Sequence, residues 1–322
     1  MTAPSEPAAP AAAPAPPASA PAPAAASPAA APQDSAAARF GPVALVVAAG
    51  VSVQFGAALA VMIMPRAGAA GVVTLRLAAA ALVLLLLCRP KVRGYSRADW
   101  GTVLAFGVTM AGMNGLFYQA VDRIPLGPAV TLEVLGPLAL SVIVSRRLVN
   151  LLWAGLALGG VVLLSGHGGA GSGFGSLDPA GAAFALGAGV MWAAYIVFSA
   201  RTGRRFPQAD GLALAMAVAA LLSFPLGVFE AGSALLVPST LALGLGVAVL
   251  SSVLPYTLEL LALRRLPAPT FAILMSLEPA IAATAGFLVL NQALSAVDAL
   301  AIALVIAASM GAVRSQTRKR TR

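Results

Sequence analysis

Beyond residue 38 the chain is a series of long apolar runs separated by short polar breaks, and this alternation is its main structural signal. Ten runs stand out, at residues 41–63, 71–88, 100–120, 126–145, 149–165, 179–200, 210–229, 239–261, 268–290 and 296–313. A helix crosses a hydrocarbon core with about 20 predominantly apolar residues. The second and fifth runs are short and would cross with little tilt. The pattern predicts an all-α polytopic membrane protein with ten transmembrane helices. Residues 1–38 are nearly all Ala, Pro and Ser. Proline at that density suits neither helix nor sheet, so this segment is expected to be a disordered cytoplasmic tail serving as a spacer. It also lacks the basic start and compact apolar core of a secretory signal. A Gly-rich break at 166–177 divides the runs five and five. It has no lysine in phosphate-loop spacing and no helix placed to follow one, which leaves a flexible external linker.

Composition sharpens the class. The chain is 60% hydrophobic and 10% charged, with a mean hydropathy of +0.92, against about 25% charged in ordinary soluble domains. Its formal net charge is +9, but where the charge sits argues against nucleic acid as a partner. With the N-terminus inside, 17 of the 20 basic residues fall in cytoplasmic segments: Arg39, the 89–97 loop, Arg146 and Arg147, the 201–205 loop, Arg264 and Arg265, and the tail from Arg314. Arg66 and Arg123 fall outside, and Arg76 lies within the second run. The positive-inside rule therefore predicts that both termini are cytoplasmic. Single Cys88 and His167 residues leave no internal disulfide, cysteine-rich metal site or histidine zinc cluster. No metal and no cofactor are expected. The preference for Arg over Lys, with abundant Ala and Gly, suits a GC-rich bacterial genome.

Within the ninth run, Leu274-Met275-Ser276-Leu277-Glu278-Pro279-Ala280 places a carboxylate beside a helix-breaking proline. A charge near the bilayer centre costs roughly 2.5–3.5 kcal/mol even on insertion scales. Proline removes a backbone donor and frees the carbonyl four residues earlier, here that of Met275. A membrane anchor needs neither feature. Shifting the sequence by 142 residues aligns Ala120, Arg123, Pro125, Leu132, Leu135 and Pro137 with identical residues around Glu278. Gly136-Pro137 falls on Glu278-Pro279, and each unit holds five runs, an odd number. The second copy would therefore enter the membrane upside down, giving two inverted five-helix repeats, residues 39–165 and 178–313, before a basic cytoplasmic tail at 314–322. Inverted repeats with interrupted helices are typical of secondary transporters that bind substrate near the midplane.

The same register puts Glu133 on the face equivalent to that of Glu278. At 1.5 Å per residue, Glu278 is about 15 Å from the cytoplasmic end of its run and Glu133 about 10 Å from the external end of its own. The two acids are expected to flank one cavity, with Glu278 the more buried and the more sensitive. Glu259 is a third proton-coupling candidate, although it lies near enough to a helix end to snorkel to water. Arg76 is the natural ion-pair partner for Glu278. Asn114, Tyr118, Gln119, Tyr256, Gln54 and Tyr195 are the candidates for lining the cavity, and Pro137 and Pro279 for interrupting the helices. Nothing resembles a catalytic triad, a metal cluster or an ATP-binding motor, so no enzymatic activity is expected.

Gly112-Met113-Asn114-Gly115-Leu116-Phe117-Tyr118, Ile124-Pro125-Leu126-Gly127, Leu132-Glu133-Val134-Leu135-Gly136-Pro137 and Ser145-Arg146-Arg147 resemble the drug/metabolite transporter superfamily with EamA-type domains. Leu254-Pro255-Tyr256-Thr257-Leu258-Glu259, Ala262-Leu263-Arg264-Arg265-Leu266-Pro267 and the Glu278-Pro279 segment are similar to its inner-membrane threonine/homoserine exporter branch. The likeness spans about residues 41–313. It implies alternating access in a bacterial plasma membrane and efflux of small neutral amino acids by proton exchange. Protonation of the acids would alternate with binding of the substrate's ammonium group. Where relatives often carry Gly-Glu after the ninth run, this chain has Asn291-Gln292 and so lacks an acid there. The partners expected are a small amino acid or related metabolite, protons and the lipid bilayer, with no oligomeric state assigned. The rival readings are export of another metabolite or drug and, from a different class, a membrane-embedded lipid enzyme or a non-transporting scaffold.

Overall fold

The computed structural model describes residues 36–145, 149–166, 177–207, 209–263, 265–266 and 268–317. The described regular structure is helical throughout. In chain order it comprises α1 (Ala36–Cys88), α2 (Arg97–Val121), α3 (Leu126–Glu133), α4 (Leu135–Ser145), α5 (Val149–Gly166), α6 (Pro179–Gly203) and α7 (Asp210–Ala231). A 3₁₀ turn (Gly232–Leu236) leads to α8 (Pro238–Ala248), a π turn (Val249–Val253) and α9 (Leu254–Leu263). The chain then forms α10 (Ala268–Met275), α11 (Glu278–Leu290) and α12 (Ala296–Thr317). Large apolar side chains such as Leu86, Leu221 and Phe229 point outward, while alanines, glycines and Tyr118 fill the centre. That inversion of the soluble pattern, together with helix length, makes this a multi-pass membrane protein.

Among the described residues, seven segments, against the ten runs expected, are long and apolar enough to cross a membrane by themselves. The first two expected runs are joined in Gly41–Cys88, while 126–145 and 149–165 contribute only the shorter apolar helices Leu126–Leu140 and Leu152–Leu163. The joining has a local cause. Gly68 is non-helical at φ 66° and ψ 170°, a conformation open to glycine and costly for other residues. Ser52 Oγ donates to the carbonyl of Leu250 (2.6 Å), and Arg76 Nη2 to that of Ser251 (3.1 Å). A straight helix would hold residues 52 and 76 about 36 Å apart. Their shared target shows that α1 folds back on itself at Gly68 as two adjacent arms.

The observed elements also follow the 142-residue shift. α3 corresponds residue for residue to α10, each eight residues long, and α2 falls on the stretch from α8 to α9. The two halves differ where their arms connect. The arms of α1 meet through Gly68 alone, whereas α6 and α7 are joined by residues 204–209.

Contacts between these halves tie the two ends of the bundle. At the arginine-rich end, Arg205 pairs with Asp99 (2.8 Å) and Tyr95 packs on Phe206 with ring centroids 4.3 Å apart. At the opposite end, Glu230 accepts from the N–H groups of Ala69 (3.2 Å) and Ala70 (2.7 Å), capping the second arm of α1. Gln292 Oε1 accepts from Leu126 N–H at the start of α3 (3.1 Å). Asn291 takes a left-handed conformation that ends α11, the turn residue after which Gln292 reaches α3. The expectations for the tail before residue 36, the glycine-rich 167–176 and the residues after 317 lie outside the described residues.

Candidate functional site

The site is built where helices are interrupted. Pro137 cannot donate to the carbonyl of Glu133, and Pro279 cannot donate to that of Met275. In both cases the preceding helix stops at the residue left without that donor: α3 ends at Glu133 and α10 at Met275. Between α10 and α11 the turn tightens, with Leu277 N–H bonded to Leu274 O and Ala280 N–H to Leu277 O, both at 3.0 Å. Pro279 then lies in the first turn of α11, where a missing N–H leaves no intrahelical bond unmade.

Two close contacts set the level of the acids. A Cβ on Gly127 would meet Ala283 Cβ at 2.9 Å, and one on Gly286 would meet Leu126 Cβ at 3.6 Å. α3 and α11 run in opposite directions from these contacts. Six residues on from Gly127 and six back from Ala283 are Glu133 and Leu277; seven on from Leu126 and seven back from Gly286 are Glu133 and Pro279. Both steps bring Glu133 level with Glu278. The two side chains are almost equally buried, at 9% and 7% exposure, so the expected difference in burial is small. Glu278 feels the charges of both Glu259 and Glu133, and Glu133 feels that of Arg76. Glu133 and Glu278 thus stand side by side, with Glu259 of α9 near Glu278 and Arg76 of α1 near Glu133.

Arg76 does not form the expected ion pair with Glu278. Its Nη1 donates to Tyr118 Oη (3.2 Å) and its Nη2 to Ser251 O (3.1 Å), and its guanidinium carbon lies 5.7 Å from the Tyr118 ring centroid. Among the described residues, no carboxylate lies within ion-pair distance of Arg76. The cause is the π turn, which redirects backbone carbonyls out of the helix ladder. The carbonyls of Leu250 and Ser251 accept instead from the two arms of α1.

Beside this centre lies a cavity of about 530 Å³ between the second arm of α1, α2, α6, the start of α7 and α9. Glu259 lines it, so this acid faces a cavity inside the protein. Tyr195 lines it too, tilted against Phe106 with ring centroids 5.1 Å apart. Tyr118 is fully buried beside Arg76. Asn114 is buried but turns back to its own helix, its Nδ2 donating to Met110 O (2.9 Å). Gln54 is buried on the first arm of α1, and its Oε1 has no partner among the described residues. Gln119 is not brought to the acids, because its side chain accepts from Arg123 at the far end of α2 (2.7 Å). The side chain of Tyr256 lies outside the described residues. Ser199, Ser252 and Thr257 also line the cavity, and Ser251 binds Arg76 through its carbonyl. Sequence reasoning passed over these residues. The Ser251-Ser252 pair inside an apolar run was the available signal.

Helices broken at mid-depth, buried acids and an adjoining cavity are the architecture of a membrane transporter. Residues 179–314 match the model of the EamA-like transporter family. Over 270 residues the chain is 42% identical to the threonine/homoserine exporter RhtA of Escherichia coli strain K12, covering 84% of this chain and 90% of the relative. It is 43% identical over the same length and coverage to the protein of that name in Salmonella typhimurium strain SL1344. This chain belongs to the EamA-like transporter family. A protein of known crystal structure shares the fold with a TM-score of 0.56 at 20% identity, covering 87% of this chain and 98% of that one.

Proposed function

We propose that this protein is a proton-coupled exporter of small neutral amino acids of the threonine and homoserine class. It resides in the bacterial inner membrane with both termini in the cytoplasm. Alternating access takes place between two inverted five-helix repeats, residues 39–165 and 178–313, joined by the linker at 166–177. The observation that carries this reading is the closeness of Glu133 to Glu278 on interrupted helices, with Glu259 lining the adjoining cavity. The names of the two enterobacterial relatives support the substrate class. The matched lengths of α3 and α10 support the repeat.

Three acids against one arginine leave negative charge to be offset, and either a proton or an ammonium group can do so. Competition between the two at one site is the simplest basis for exchange. The contacts of Gln292 with Leu126 and of Glu230 with Ala69 and Ala70 close the end opposite the arginine-rich loops. The cavity extends the other way, toward Leu87 and Phe206. With the arginine-rich end inside, this is a cytoplasm-facing state ready to load substrate.

In proteoliposomes the wild type is expected to move threonine or homoserine against an imposed pH gradient. Glu278→Gln is expected to lose that gradient-driven flux and retain substrate-for-substrate exchange. Full gradient-driven flux in Glu278→Gln would remove Glu278 from coupling. Absence of flux for both amino acids in the wild type would remove the substrate assignment.

A further inference from the structure

The exchange scheme uses the acids and gives Arg76 no task. Leu87, Leu84 and Ala80 line the cavity along the second arm of α1. These residues are spaced three and four apart, so they share one face, and the next position inward on that face is Arg76. Its two bonded partners belong to buried residues, Tyr118 and Ser251, which places the guanidinium inside the bundle at the inner end of that lining. Two buried polar atoms there, Arg76 Nε and Ser251 Oγ, have no hydrogen-bond partner among the described residues. Tyr118 Oη accepts from Arg76, so its own O–H remains able to donate. A half-buried cation bonded only to neutral groups, beside unmet polar atoms, is costly unless something else completes its shell.

We infer that Arg76 anchors the α-carboxylate of the substrate, with the hydroxyls of Ser251 and Tyr118 as further donors. The chemistry fits. A guanidinium presents a planar fork that matches a carboxylate, and one hydroxyl on either side can complete the oxygens. Glu259, which lines the cavity, takes the ammonium group, so a zwitterion is read at both ends. This assignment rests on the amino-acid-exporter reading above, because it specifies the ligand's charged group.

The test is calorimetric binding of threonine and of threonine amide to the purified full-length protein at about pH 6, where both amines are protonated. Wild type is expected to prefer threonine by about tenfold or more, the worth of a charge-assisted hydrogen-bonded pair. Arg76→Gln is expected to bring that ratio to about one, and Arg76→Lys, which keeps the charge without the fork, to an intermediate value. Partial unfolding lowers the number of sites for both ligands alike and leaves the ratio of affinities unchanged. Ser251→Ala removes only a hydroxyl and is expected to lower the ratio severalfold, which keeps the test open if both Arg76 variants fail to fold. A wild-type ratio in Arg76→Gln, or in Ser251→Ala where that variant stands alone, would overturn the anchor and leave the exporter reading intact. A wild type that binds neither threonine nor homoserine would overturn the exporter reading and the anchor with it.

Discussion

The two interrupted helices share a length, a proline and a repeat position, but they place their acids differently. At the first, the acid is the last residue of α3; at the second, it is the first residue of α11. The position that the 142-residue shift sets against Glu278 is Gly136, and its surroundings explain the displacement. A Cβ on Gly136 would collide with the backbone of Gly189 in α6, and a Cβ on Gly189 would lie 2.5 Å from the carbonyl oxygen of Glu133. Backbone lies on backbone there, so residue 136 has no room for any side chain. Under the same shift, the counterpart of α6 is the first arm of α1. That arm approaches α11 less closely: a Cβ on Gly50 would meet the flexible end of Ile281 at 3.2 Å. One crossing leaves space for a carboxylate beside the proline, and the other moves it one turn away. The two acids neighbour each other, and the further charge differs, a cation beside Glu133 and a third acid beside Glu278.

The largest expected difference is functional. Glu278→Gln should abolish pH-gradient-driven efflux, whereas Glu133→Gln should slow it by about tenfold, equivalent to ~1.4 kcal/mol in the barrier. Initial rates in proteoliposomes measure both, and equal losses would mean that the asymmetry carries no division of labour. Next comes Gly136→Ala, whose added methyl has only backbone to push against. It should cost about 1–3 kcal/mol, the usual range for overpacking, and show as a lower melting temperature in detergent. A variant as stable as wild type would refute the close-packed crossing. The smallest effect belongs to Gln292→Ala, which removes one side-chain acceptor from the start of α3. About 1 kcal/mol of stability should go, and protection of the Leu126 amide from hydrogen exchange should fall. Unchanged protection would show that the link between the copies does not hold α3.

Much of this arrangement was legible in the sequence. An acid beside a proline in an apolar run has few structural uses, and the 142-residue shift identified Glu133 and its proline as the related feature. Element ends then followed the prolines, because a missing N–H acts locally and can be counted along the chain. What could not be read depended on the approach of distant segments. The break at residues 64–70, with Pro65, Arg66 and Gly68, announced two separate runs at 41–63 and 71–88, but not that Gly68 alone would make the turn between them. Arg76 was matched to an acid by charge alone, but the π turn supplied a carbonyl and α2 a phenol. A π turn has no plain sequence mark, and Ser251 gained its role from that distortion. Gln119 was assigned to the cavity by its position on α2, but a basic neighbour four residues later holds its side chain at the end of the bundle.

The one-residue turn at Gly68 also bears on biogenesis. Two apolar arms joined through one glycine enter a bilayer as a single hairpin, with only the short exposed corner at Pro65 and Arg66 between them. This hairpin is the first part of the bundle to leave the ribosome, and Arg76 travels in its second arm. At that moment the residues that later surround the guanidinium, Tyr118, Glu133 and Ser251, have not entered the membrane. The nascent chain must therefore carry an arginine into the membrane before its partners arrive, which makes the arms' apolar surface the driving force for the earliest step of assembly.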